Sequence, residues 1–225
     1  MKIKYIILLC LLSNLSYSQI IKSIGIKGGI TISSQNWEYD QMDYYYKFNT
    51  TPGLYSVITT DIISKEYWDV SADIGIYKSI NKTTINPFNF NTNEYPSNLF
   101  LRFGFFTFSP YFKLKIPLKS FTPYIFIGPR MDYYYPKLSS DDANSFKDQI
   151  TKKPIWGFNV GEGIAYKLNR ISIFAEYQYM YSFSYLIDIP GYTATDPMYG
   201  FYTVNPKRLK ISTHIITVGL KYYFK

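Results

Sequence analysis

The chain has 225 residues and a formal net charge of +8, and it contains 25 tyrosines and 17 phenylalanines. This length suits a single domain. An excess of basic over acidic residues can indicate nucleic acid or anionic lipid as a partner, but the lysines and arginines are dispersed along the chain without a cluster. We therefore expect no nucleic-acid binding and some affinity for anionic glycolipid. The only cysteine is Cys10, which excludes a disulfide framework and a cysteine-based zinc site.

The first eighteen residues have the three parts of an export signal. Lys2 and Lys4 form a positive start, residues 6–12 an apolar core, and residues 16–18 a small-x-small cleavage site. The apolar run is much shorter than the about 20 residues that a membrane-spanning helix needs. We therefore predict a signal peptide over residues 1–18, whose removal lowers the net charge from +8 to +6 because two lysines are lost.

Apolar side chains recur at every second position along most of the remaining chain. The clearest case is 171–183, where Ile, Ala, Tyr and Phe fill the odd positions and mostly polar residues, including Glu176 and Gln178, fill the even ones. A period of two indicates strands rather than helices, and a transmembrane strand needs about 9 to 11 such residues. Eight segments fit: 24–32, 52–63, 67–79, 102–116, 122–135, 155–168, 171–183 and 209–224.

Short and long connections alternate between these segments. The short ones are 64–66, 117–121 and 169–170, and the long ones are 33–51, 80–101, 136–154 and 186–208. Outer-membrane barrels show this asymmetry because short turns face the periplasm and long loops face outside. The sequence therefore predicts an all-β fold over 19–225: an eight-stranded antiparallel up-and-down transmembrane β-barrel in the cell outer membrane, with both termini periplasmic.

A soluble periplasmic lipocalin-like binding barrel is the alternative fold, since it also uses short alternating strands. Its apolar face would point inward. Two patterns favour the membrane barrel. The non-apolar faces hold small and charged residues such as Lys27, Ser71 and Asp73, and the chain closes on alternating apolar residues that end at Tyr222 and Phe224.

From residue 108 onward the chain resembles the PorT-like outer-membrane β-barrel family of the Bacteroidetes. The stretches that carry the resemblance are Ser-Pro-Tyr-Phe-Lys-Leu at 109–114, Pro-Tyr-Ile-Phe-Ile-Gly-Pro at 123–129, Gly-Phe-Asn-Val-Gly-Glu-Gly at 157–163 and Val-Gly-Leu-Lys-Tyr-Tyr-Phe at 218–224. The resemblance implies an eight-stranded barrel, and one branch of the family is linked to type IX secretion. It implies no catalytic residue.

Charged residues on the predicted inner faces form the main candidate constellation. An eight-stranded barrel is just wide enough to be filled by its own side chains, and charges buried there must pair. We therefore predict a salt-bridged, non-conducting interior, with a narrow ion path as the alternative. The charged residues on the predicted inner faces are Lys27, Asp73, Lys113, Arg130, Asp132, Glu176 and Lys221.

An outer-membrane lipid hydrolase or deacylase is the alternative function. Such an enzyme needs a serine activated by a histidine that a third group orients. His214 is the only histidine, and Ser212 lies two residues away on the same face of the last strand. These two residues are weak catalytic candidates, and we predict no metal site and no cofactor.

Two positions conflict with the predicted alternation. Glu162 falls on the lipid-facing side, where an ionised group is costly, so we expect either a bulge that turns it inward or a change of register. The last strand is expected to switch faces at residues 215–216. The function predicted overall is a structural, interaction or secretion-accessory role, with outer-membrane lipid and other outer-membrane or secretion-system proteins as partners.

Overall fold

The computed structural model shows a closed antiparallel β-barrel. It describes residues 21–39, 46–85, 97–139, 150–189, 192–196, 200–204 and 207–224, so the predicted signal peptide lies outside the described residues and stays a prediction. The first seven strands are β1 (Ser23–Tyr39), β2 (Tyr46–Ser64), β3 (Trp68–Ile85), β4 (Ser97–Lys115), β5 (Phe121–Tyr134), β6 (Ile155–Leu168) and β7 (Ile171–Ser182). The elements that follow are β8 (Ile187–Ile189), β9 (Tyr192–Asp196), β10 (Gly200–Val204) and β11 (Lys207–Tyr223).

Eight of these strands form the wall. Strands β1 to β7 pair in chain order, β11 pairs with β7, and β11 also pairs with β1. The closing ladder is long and regular, running from Ser23 opposite Tyr223 to Tyr39 opposite Lys207. The predicted eight-stranded antiparallel barrel is therefore confirmed. Among the described residues, no helix is long and apolar enough to span a bilayer.

The alternation of side chains divides the wall into an apolar outside and a mixed inside. Ile26, Leu54 and Val218 are each about two-thirds exposed on the outer surface, while their sequence neighbours point inward. A lipocalin-like barrel would have its apolar face inside, so that alternative is wrong. The exterior instead offers an apolar belt that matches the lipid-facing surface of a transmembrane barrel.

The strands reach further than the predicted boundaries at the end opposite the short turns, which we call the outer end. Much of the predicted loop 33–51 belongs to β1 and β2, and much of 80–101 belongs to β3 and β4. The predicted loop 186–208 likewise contains β8 and a β9–β10 hairpin. The alternation of apolar and polar residues could not reveal these extensions. Strands that pair beyond the bilayer have no lipid-facing side, so their sequence need not alternate. The predicted long loops are therefore partly wrong.

The predicted face switch in the last strand is also wrong. Ile215 is fully buried inside the barrel and Ile216 is half exposed outside, as an uninterrupted alternation requires. The prediction failed because it assumed a polar interior along the whole strand. Near the outer end, the lumen is filled by apolar side chains, and Leu209, Ile211 and Ile215 are part of that filling.

Candidate functional site

The interior of the barrel is the candidate site, and it contains all seven charged residues singled out in the sequence. They come from six different strands, because inward positions recur at every second residue of each strand. Each is between 0% and 5% exposed. They are Lys27, Asp73, Lys113, Arg130, Asp132, Glu176 and Lys221. Six of them form three groups at different heights in the lumen, and Lys113 belongs to none of these groups.

The central group is built on one lysine. The ammonium of Lys27 on β1 donates to Glu176 on β7 and lies 2.7 Å from the carboxylate of Asp73 on β3. Glu176 also accepts hydrogen bonds from the Tyr124 hydroxyl at 2.8 Å and from the Gln178 amide at 3.0 Å. One cation therefore faces two carboxylates, and neutral donors satisfy part of the excess negative charge.

A second group lies nearer the outer end. Arg130 Nε lies 3.0 Å from the Asp132 carboxylate, and the Arg130 guanidinium donates to Ser182 Oγ at 2.7 Å. The Tyr77 hydroxyl donates to Asp132 at 2.8 Å. The ring of Tyr77 stacks on Phe105 with 4.9 Å between ring centroids. This group therefore joins the charged part of the lumen to the apolar part above it.

The third group lies just inside the end that carries the short turns, which we call the periplasmic end, and it includes a residue that the sequence analysis did not identify. Lys221 donates to Asp61 at 2.8 Å, and the hydroxyls of Ser23 and Ser71 donate to the same carboxylate at 2.6 Å and 2.7 Å. Asp61 is fully buried. It follows Thr59 by two positions on β2 and lies within the predicted segment 52–63, so the alternation of that segment already indicated that it faces inward.

Lys113 is the exception among the seven. It is 4% exposed, yet no carboxylate of the described residues lies within ion-pair distance of its ammonium. The ammonium instead lies over aromatic rings, 4.2 Å from the ring centroid of Tyr124 and 5.6 Å from that of Tyr111. The prediction that every interior charge is paired therefore fails at this residue.

Above the charged groups, the lumen is closed by a cluster of apolar side chains. The cluster combines aromatic residues of β3 and β4 with aliphatic residues of β11 and of the outer connections. Its fully buried members include Tyr77, Phe103, Phe105, Leu186, Ile187, Leu209 and Ile215. An apolar layer over a salt-bridged layer leaves the narrow interior filled from the group around Lys27 to the outer end, as an eight-stranded barrel permits.

The two candidate catalytic residues lie on the outer surface of β11. His214 is exposed, and its Nδ1 lies 2.6 Å from the Tyr177 hydroxyl; its ring also packs against Tyr179 with 4.9 Å between centroids. Nδ1 is the nitrogen that an orienting carboxylate or amide would need. The structure shows no hydrogen bond between Ser212 and His214, so it does not assemble the hydrolase arrangement.

Glu162 lies on the lipid-facing wall in an unbroken strand. The register of β6 with β5 and with β7 runs without a shift, and it places Glu162 opposite Ile125 and Tyr177. The expected bulge or register change is therefore wrong. The side chain is exposed and lines an apolar outer groove together with Ile125, Ile164 and Ala175.

Within the described residues, no group of three His, Cys, Asp or Glu side chains could hold a metal ion.

Comparison with known proteins supports the fold and gives no closer relationship. No protein-family model and no curated protein sequence matches the chain. The outer membrane protein OprG from Pseudomonas aeruginosa is 14% identical, with a TM-score of 0.52 over 90% of this chain and 97% of that one. Neisserial surface protein A is 10% identical, with a TM-score of 0.47 over 89% and 97%. At this identity the likeness to OprG shows the fold alone. With the apolar exterior, it identifies a transmembrane barrel of the outer-membrane type.

Proposed function

We propose that this protein is a non-conducting outer-membrane barrel whose outer strand extensions contact a partner protein. The observation that carries the proposal is the closed lumen, in which a salt-bridged layer around Lys27 lies beneath an apolar layer around Phe105. An ion would have to displace buried, paired charges and then cross closely packed aromatic and aliphatic side chains. The interior therefore acts as a rigid support rather than a path.

The strand extensions at the outer end give the barrel a surface that a partner protein can contact. The pairing of β1 with β2 ends at Ile32 opposite Pro52, whereas β1 continues along β11 as far as Tyr39. Strand β2 continues along β3 as far as Tyr46 opposite Ile85. The wall thus divides into two ribbons above Pro52. Among the described residues, the facing edges of β1 and β2 have no backbone pairing there, and unpaired strand edges suit contact with another macromolecule.

The resemblance to PorT-like barrels supports a particular class of partner. It favours another outer-membrane protein or a component of a secretion system, so that the chain would serve as an accessory barrel. A structural role without a partner would not require strands that extend beyond the apolar belt.

Conductance measurement tests the closed interior. Purified protein reconstituted in a planar bilayer should give no discrete current steps, whereas a porin in the same lipid serves as the positive control. Reproducible steps from the wild-type protein would overturn the proposal. A variant with Phe103, Phe105 and Ile215 all changed to Ala removes the apolar layer only, and it should stay closed because the ion pairs around Lys27 remain. Current steps from this variant would show that the apolar layer alone is the barrier.

Site-specific photo-cross-linking in intact cells tests the interaction role. A photoreactive residue at Asn36 or Thr50 lies on the exposed part of the two ribbons, and the same residue at Ile58 faces the lipid belt and serves as the control. We expect the same protein to be cross-linked from both outer positions and not from Ile58. Absence of any protein cross-link at the outer positions would overturn the interaction role.

A further inference from the structure

The periplasmic mouth of the barrel is a cavity that the proposed function does not use. It has a volume of about 330 Å³ and is bounded by the short turns and by the inward residues just above them. Six lysines and two carboxylates line it, which gives an excess of four positive charges. The charged lining residues are Lys65, Glu66, Asp69, Lys113, Lys115, Lys119, Lys167 and Lys221.

Only part of this positive charge is neutralised by ion pairs. Lys115 lies 2.7 Å from Asp69, and Lys221 lies 2.8 Å from Asp61 beneath the cavity floor. The two pairs leave the floor with the ammonium of Lys113, and the rim with several exposed lysines. The electrostatic field in the mouth is therefore positive and is focused into a narrow opening.

Lys113 is the decisive residue because it is buried, charged and without a carboxylate partner among the described residues. Its side chain lines the cavity, and its ammonium lies over the rings of Tyr124 and Tyr111. A cation over an aromatic ring gains less free energy than removing an ammonium from water costs. A negatively charged oxygen in the cavity would supply the missing interaction.

We propose that the periplasmic mouth binds a small oxyanion, a phosphate or carboxylate group, whose oxygens are held by the Lys113 ammonium. Hydrogen bonds between an ammonium and an anionic oxygen are short and strong, and the hydroxyl groups of Ser172 and Thr122 also line the cavity. The volume suits a compact group, and the position beside the short turns makes it reachable from the periplasm. This site lies at the opposite end from the outer ribbons, so it does not depend on the proposed function.

Thermal unfolding and calorimetry of the full barrel in detergent test the proposal. A ligand that binds only the folded state raises the unfolding midpoint. Inorganic phosphate, a short peptide with a free terminal carboxylate and the same peptide with an amidated terminus are each added at constant ionic strength. We expect phosphate or the free carboxylate to raise the midpoint, and the amidated peptide to have no effect. A response to phosphate alone identifies a phosphate group as the ligand, and a response to the carboxylate alone identifies a carboxylate terminus.

Lys113→Met is the test variant, and Lys152→Met, at an exposed position of the outer end, is the matched control. Loss of one charge-assisted contact should lower the affinity at least about tenfold in Lys113→Met and leave it unchanged in the control. If Lys113→Met does not fold, the double variant Lys119→Glu, Lys167→Glu reverses two exposed rim charges and should also weaken binding. No shift with either anion, or equal affinity in the folded test variant and the wild type, would overturn the proposal.

Discussion

The ammonium of Lys27 lies 2.7 Å from the carboxylate of Asp73, and neither side chain is exposed to solvent. The two residues belong to β1 and β3, which are not neighbours in the sheet. Lys27 also donates to Glu176 on β7, so a single ammonium connects three strands across the lumen. The barrel is held closed by this interior contact as well as by its backbone ladder.

Replacement of Lys27 by Met should be strongly destabilising. It leaves two buried carboxylates without their cation, and breaking a buried ion pair in this way costs about 3 to 5 kcal/mol. The free energy of unfolding would be measured by urea titration in detergent, followed by tryptophan fluorescence. Arg208→Met is the control, because the pair of Arg208 with Asp188 is exposed and surface pairs contribute about 0 to 1 kcal/mol.

A compensating variant distinguishes charge from packing at the same site. Adding Asp73→Asn and Glu176→Gln to Lys27→Met removes the unpaired charges and should recover part of the lost stability. No recovery would show that the loss comes from the shape of the Met side chain rather than from the charges.

Two adjacent glycines in β1 should respond in opposite ways to Ala. A Cβ at Gly29 would overlap the carbonyl group of Ile216 on β11, whereas a Cβ at Gly28 would lie 3.6 Å from the carbonyl oxygen of Tyr55, an ordinary van der Waals distance. Gly29→Ala should therefore prevent closure between the first and last strands, and Gly28→Ala should be tolerated. Gel mobility with and without boiling reports closure, and an unchanged shift in Gly29→Ala would contradict this reading.

The alternation of side chains was sufficient to predict the wall of the barrel and which residues face inward. It worked because lipid on one side and a filled lumen on the other impose a period of two on each strand, as in the segment that ends at Ser182. The prediction failed where the strand no longer has lipid on one side and a polar lumen on the other. Near Ile215 the lumen itself is apolar, and beyond Ile32 both sides of the strand leave the membrane.

The pairing of the interior charges could not be predicted in the same way. Alternation gives the direction of a side chain and not its height or its partner, so the sequence could not show that Lys221 meets Asp61 while Lys113 meets no carboxylate of the described residues. Those contacts depend on the register between strands that are far apart in the chain. The cavity at the periplasmic mouth depends on the same register and had no signal in the sequence.

Replacement of Tyr77 by Phe tests the junction between the charged and apolar layers. The variant keeps the ring that stacks on Phe105 and removes the hydroxyl that donates to Asp132. Loss of a donor to a buried carboxylate should cost about 1 to 3 kcal/mol. Tyr133→Phe, at an exposed position of β5, should change the unfolding free energy little. Equal effects of the two substitutions would show that the buried hydrogen bond adds no stability.

Glu162 is a position in the lipid-facing wall where a more apolar residue should stabilise the protein. Its side chain lies among Ile125, Ile164 and Ala175 on the outer surface, six positions from the periplasmic end of β6. Basic residues near the bilayer midplane cost about 2 to 4 kcal/mol and acidic ones less, so Glu162→Leu should gain about 1 kcal/mol. Urea unfolding in phospholipid vesicles measures this gain, with Val160→Leu on the same face as control. A loss of stability in Glu162→Leu would mean that the carboxylate makes a favourable contact in the membrane, and the lipid-facing groove would then have to be treated as a binding surface.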